Sequence, residues 1–149
     1  VEARVKDQIV FEETGLIYLR AGVRLAGSRL GVHLSAVSFC LHALERLVER
    51  SDVPLQSALL PQVDAEALAI FRAWARGGVL TDTGDEYYPA AAPGVWAGGH
   101  DELSMDPDWG LSNPKGHLPI FSARTFLSEA EMRPTVWLRW KDDPSCRVL

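Results

Sequence analysis

Residues 64–88 read DAEALAIFRAWARGGVLTDTGDEYY, and the reading of this stretch sets the expectation for the rest of the chain. Asp64 is a side-chain acceptor of the kind that caps a helix N-terminus. Leu68, Phe71 and Ala75 then recur on one helical face, with Ile70 and Trp74 beside it. Gly77-Gly78 suits the left-handed cap that ends many helices. Val79-Leu80-Thr81 and Glu86-Tyr87-Tyr88 read as two strands around Asp82-Thr83-Gly84-Asp85, a β-hairpin.

Toward the N-terminus, Ile9, Phe11 and Leu16 to Leu19 flank Glu13-Thr14-Gly15, which reads as an earlier hairpin. Val23 to Ala26 extends it or adds a short strand before Gly27-Ser28. Ser35 is placed to cap a helix running to Arg50, with Val37, Cys40, Leu41, Leu44, Leu47 and Val48 as its apolar stripe. Pro54 fits the first turn of a short helix through Leu60, stopped by Pro61.

Toward the C-terminus, regular periodicity fades from Pro89 to Pro119, where Gly, Pro, Ala and Asp dominate and Trp96 and Trp109 are embedded. A loop of this length is often functional when ordered. A last helix is expected over Ala123 to Met132 with Ser122 as cap, and Ser128 and Glu131 have capping-box spacing. Thr135 to Trp140 alternates as a final strand. The expected architecture is therefore α+β: a single domain over 1–149, with three to four helices, two β-hairpins, a C-terminal strand and an irregular segment at about 89–119.

The order of elements, and the run Ala75-Arg76-Gly77-Gly78-Val79-Leu80-Thr81-Asp82-Thr83-Gly84-Asp85-Glu86-Tyr87-Tyr88 in particular, resembles the last helix and wing of a winged-helix domain. The resemblance covers about a third of the chain and implies a partial winged-helix arrangement. A DNA-reading version needs donors on the helix and cations on the wing. The helix offers Arg72 and Arg76, and the wing is acidic. Nucleic acid is therefore an unfavoured partner. If bound, its phosphates would meet Arg20, Arg24, Arg29, Arg72 and Arg76.

The chain has 149 residues, 47% hydrophobic and 23% charged, a balance that supports one folded core without disulfide or metal. No apolar run approaches the ~20 residues of a membrane-spanning helix. Glu2, Arg4, Lys6 and Asp7 do not read as a signal peptide, and a first residue Val1 fits a processed or excised piece. Cys40 lies in an apolar pattern and reads as a buried thiol; Cys146 lies in the tail. Two distant cysteines make no metal or redox motif, and the expected compartment is reducing and cytoplasmic, although one bridge between them remains open.

The net charge of −5 is lopsided: residues 77–114 contain no Lys or Arg. Asp82, Asp85, Glu86, Asp101, Glu102, Asp106 and Asp108 fall there, together with Tyr87, Trp96 and Trp109. Aromatic residues beside carboxylates are the composition of a protein-binding surface steered by charge. The leading expectation is a non-catalytic protein-binding module (an adaptor, chaperone, inhibitor or immunity-type protein) meeting another, basic protein through these residues. No P-loop, dinucleotide fingerprint, G-x-S-x-G elbow or HExxH occurs, so no cofactor is expected. The enzymatic alternative is a small metal-dependent one using His100, Glu102 and His117, residue types that suit zinc, iron or manganese.

Overall fold

The computed structural model describes residues 2–5, 8–12, 15–51, 58–104 and 117–142. Their order is β1 (Glu2–Val5), β2 (Gln8–Glu12), β3 (Gly15–Ala26), β4 (Arg29–Cys40), α1 (Leu41–Arg50), α2 (Leu59–Ala75), β5 (Leu80–Asp82), β6 (Asp85–Pro89), β7 (Gly94–Ser104), β8 (His117–Ser128), a 3-10 turn (Glu129–Glu131) and α3 (Pro134–Asp142). The fold is mixed α+β. β3 to β8 form one six-stranded sheet in the order β3-β4-β8-β7-β6-β5, with β4 and β8 parallel and every other pair antiparallel. β1 and β2 pair separately.

Helices cover both faces of the sheet. On one face, α1 and α2 enclose Val37, Phe39, Tyr88, Trp96, Phe121 and Phe126. On the other, Met132 and Val136 close over Tyr87, Val95 and Ala97, while Ala36, Leu118 and Ile120 make a further small cluster. A sheet covered on both sides buries both sets of alternating side chains, so its central strands lose the apolar–polar alternation that marks a strand.

That loss explains the main departures from the sequence reading. Residues 36–39 are all buried, and this run, apolar except for Ser38, imitates a helix stripe. The chain from Ser35 to Cys40 is strand, and the helix starts only at Leu41. Its N-cap is Cys40, not Ser35: the sulfur accepts from Ala43 N at 3.4 Å and donates to the Arg124 carbonyl at 3.5 Å. Cys146 lies outside the described residues.

Ala123 to Ser128 is likewise strand rather than helix. A bulge leaves Arg124 unpaired between Gly98↔Ala123 and Ala97↔Thr125, and this brings Ala123 and Phe126 onto one face. At the bulge, a Cβ on Gly98 would collide with the Ser122 carbonyl oxygen. The expected C-terminal strand at Thr135 to Trp140 is helix α3. Pro134 pre-sets its first turn, and Met132, Val136 and Trp140 follow at spacings of four onto the core. The Ser128–Glu131 capping box is present in the 3-10 turn.

The first hairpin also differs: β2 pairs with β1, and β3 pairs with β4 through the Gly27-Ser28 turn. α2 begins five residues before Asp64, with Pro61 in its first turn, where a missing N–H breaks no intrahelical bond. The short helix expected from Pro54 begins in residues outside those described. Gly77 does close α2, with φ 68°, Gly77 N bonded to the Trp74 carbonyl at 3.0 Å and Gly78 N to that of Ala73 at 2.8 Å. β5 and β6 turn at Thr83-Gly84, both with positive φ, and form the edge of the six-stranded sheet. The segment expected to be irregular contains β7, the start of β8 and a turn at 90–93.

Candidate functional site

Among the described residues, the acidic and aromatic residues do not assemble as one surface. Trp96 is fully buried, edge-on to Phe39 at 4.8 Å and Phe126 at 5.3 Å, and Tyr87 is 4% exposed beneath α3. Both are core, because each sits on a strand covered on both sides. Strand alternation divides the carboxylates as well. Asp82, Asp85 and Asp101 share the α3 side of the sheet, while Glu86 and Glu102 share the α1–α2 side. Asp82 accepts from Thr135 Oγ1 at 2.9 Å and lies 3.9 Å from Arg133. Asp106, Asp108 and Trp109 lie outside the described residues.

The metal set does not converge either. His100 and Glu102 share a face of β7, but His117 pairs with Ser104, four residues from His100 and so roughly 13 Å along the strand. No group of three or more His, Cys, Asp or Glu placed to hold a metal occurs among the described residues. His100 joins a different polar cluster. Its Nε2 lies 2.7 Å from the Tyr88 hydroxyl and 3.4 Å from Glu86 Oε2, with Trp74 and Phe121 against the ring. Glu86 Oε2 is buried and accepts no hydrogen bond from the described residues. Burial, then the Glu86 charge, pushes the Tyr88 hydroxyl well above its ordinary range.

Glu66 is a further polar residue of the core, one that sequence periodicity alone could not single out. It is fully buried within α2. Oε1 accepts from Gln62 Nε2 and Ala92 N, each at 2.9 Å, and Oε2 accepts from Ala91 N at 2.8 Å and Trp96 Nε1 at 2.9 Å. Four donors satisfy the carboxylate and tie the 90–93 turn to α2, a structural use of its charge.

The feature left open to a partner is the β3–β4 ribbon. β8 pairs with β4 only over Ala36–Phe39, so the ribbon beyond Ser35 is a two-stranded arm. Its register sorts the side chains cleanly. One face carries Ile17, Leu19, Ala21, Val23 and Leu25 opposite Ser38, Ala36, Leu34, Val32 and Leu30. The other carries Tyr18, Arg20, Gly22, Arg24 and Ala26 opposite Val37, Ser35, His33, Gly31 and Arg29. On the apolar face, Ile17, Leu19, Val23, Leu25, Leu30 and Val32 are 48% to 74% exposed. Residues 15–44 contain no Asp or Glu.

Where the arm joins the body, β3 and α2 border a groove of about 570 Å³. Leu19, Leu68 and Phe71 line it, and Arg20, Arg72 and Arg76 stand around it. Arg20 donates to the Phe71 carbonyl at 3.2 Å, and Tyr18 donates to Asp64 Oδ1 at 2.6 Å, so two contacts anchor β3 to α2. No carboxylate lies within ion-pair distance of Arg20, Arg72 or Arg76 among the described residues. These arginines belong to the basic set read from the sequence; the tertiary fold gathers three of the five.

No described helix is long and apolar enough to cross a membrane. Comparison of the chain with protein-family models, curated proteins and solved structures finds no match.

Proposed function

We propose that this domain is a non-catalytic protein-binding module that engages its partner through the β3–β4 arm. The observation that carries the reading is the arm's apolar face. Singly exposed leucines are ordinary on a protein surface, whereas a contiguous apolar face marks an interaction site. Here the contiguity follows from the register, because six large apolar residues share one side of one ribbon. The acidic residues are split between the two sides of the sheet, so they offer a basic partner less continuous surface than the arm offers an apolar one.

The test is affinity capture from native extract, comparing the wild-type chain with the double variant Leu25→Glu/Leu30→Glu. These two residues pair across the end of the arm, away from every core cluster. The reading expects a stoichiometric protein with the wild type that is absent with the variant, while the thermal midpoints of the two baits stay within a few degrees. Identical captures by both baits would refute the arm as the binding surface.

A further inference from the structure

The arm's two faces and its outer edge, which no described strand covers, together constrain what can bind there. β3 is the outermost strand of the six-stranded sheet, so one row of its backbone N–H and C=O groups has no partner strand in that sheet. A two-stranded ribbon is only marginally stable in water, and a third strand stabilises it. A strand added beside β3 continues the pleat, so its alternate side chains fall on the two faces in turn. On one face they meet Arg20 and Arg24, and on the other Leu19, Val23 and Leu25.

Electrostatics opposes one register of self-pairing. In an antiparallel pairing of β3 with β3 of a second copy, centred on Gly22, each Arg20 would oppose an Arg24, and like charges directly opposite destabilise a ladder. A basic segment meets the same repulsion. The β4 edge of the arm is less selective, since it sets Arg29, Gly31, His33 and Ser35 along the polar face. Only the β3 edge leads into the groove, where Arg72 and Arg76 add two more cations beside the apolar walls of Leu68 and Phe71.

From this we infer, resting on the reading of the arm as the binding surface, that the β3 edge takes an extended protein segment whose side chains alternate acidic and apolar. Backbone hydrogen bonds along the edge provide affinity. Carboxylates against Arg20, Arg24 and Arg72 select the sequence, and the apolar residues extend the ribbon's exposed face. The mode is strand addition with charge selection, and it involves no covalent step.

The experiment uses the full chain and three labelled synthetic peptides, read by fluorescence anisotropy at low salt. The first alternates Glu and Val, the second alternates Lys and Val, and the third is the first with a central Val→Pro change that removes a backbone donor. A short single-stranded oligonucleotide is the fourth probe. The expected result is saturable binding of the Glu–Val peptide, at least tenfold weaker binding of the proline version, and none of the Lys–Val peptide. Arg24→Glu, at an exposed position of the arm, should weaken the Glu–Val peptide about tenfold and admit the Lys–Val peptide. Tighter binding of the oligonucleotide or the Lys–Val peptide to the wild type, or no saturable binding of the Glu–Val peptide, overturns the inference. If extract capture still depends on Leu25 and Leu30 in that case, the arm is the interface and only the partner chemistry is wrong. If capture is also insensitive to those residues, the arm itself is refuted.

Discussion

Replacing Glu66 by Gln is the most direct test of how this core is held together. The substitution is nearly isosteric, so it changes hydrogen bonding and charge with little change in volume. Glu66 accepts from four donors, two on each oxygen. A Gln amide keeps one carbonyl oxygen and turns the other acceptor into a donor, which then faces two N–H groups. Whichever way the amide lies, it opposes one of the pairs Gln62 with Ala92 or Ala91 with Trp96. Gln62 and Ala91 can turn to water, being partly or fully exposed, but Ala92 N and Trp96 Nε1 are buried. An unsatisfied buried donor costs about 1–3 kcal/mol, and hydrogen bonds to a charged acceptor are the stronger kind. The expected loss is about 3 kcal/mol. For a domain of this size that lowers the melting temperature by roughly 6–12 °C. Calorimetry and urea unfolding measure the loss, and tryptophan fluorescence reports whether Trp96 has gained water. Glu66→Ala should cost at least as much, since it adds a cavity. A Gln variant melting within 2 °C of wild type, with unchanged fluorescence, would refute the clamp.

Three other expectations follow from the same structure. Gly98→Ala forces a Cβ into the Ser122 carbonyl at the bulge and should destabilise by at least about 3 kcal/mol, seen as loss of the cooperative unfolding transition or a large fall in its midpoint. Thr83 is a β-branched residue held at φ 45° in a two-residue hairpin turn, so Thr83→Asn should stabilise by about 0.5–1 kcal/mol in urea unfolding, despite losing the hydroxyl that Arg133 contacts. Burial raises all three tyrosines above their ordinary value of 10.0: Tyr18, also bonded to Asp64, is pushed up to about 12, Tyr87 is raised further by Asp85, and Tyr88 by Glu86. A raised folded value means that the folded state holds its protons longer than the unfolded chain. The stability tied to these protons is complete below about pH 10 and is lost as pH rises through the folded values. Tyrosinate absorbance should therefore appear above pH 10 and together with unfolding; a simple titration centred at pH 10 in folded protein would contradict this.

Local signals proved sound where local physics decides. Gly77-Gly78 ends a helix because the left-handed cap depends on residues close in sequence. The strands on either side of Thr83-Gly84 and the capping-box spacing at Ser128 were legible for the same reason, whereas the expected face of Leu68, Phe71 and Ala75 leaves Leu68 and Ala75 exposed, and α2 buries Val63, Glu66, Ala67 and Ile70 instead. The candidate site was legible only as a set of arginines. Arg20 and Arg72 are far apart in the chain, and nothing local announces that β3 is anchored beside α2. The arm's two faces are hidden as well, because they follow from the β3–β4 register, and the Gly and Ser residues within these strands interrupt any local strand pattern.

Composition and short-range patterning determined on their own that this is an α+β chain, that residues 77–114 carry the acidic excess, and where the helices ending at Arg50 and before Gly77 stop and the Thr83-Gly84 turn falls. Tertiary structure alone decided which apolar runs are strands and which are helices. A strand covered on both faces presents the same unbroken apolar run as a buried helix, and only the neighbours across the sheet break the tie. It also decided that Trp96 belongs to the core, that Glu66 is a buried clamp, and that the arm keeps its apolar face exposed. Each of those outcomes depends on long-range pairing, which the order of residues encodes but no short window displays.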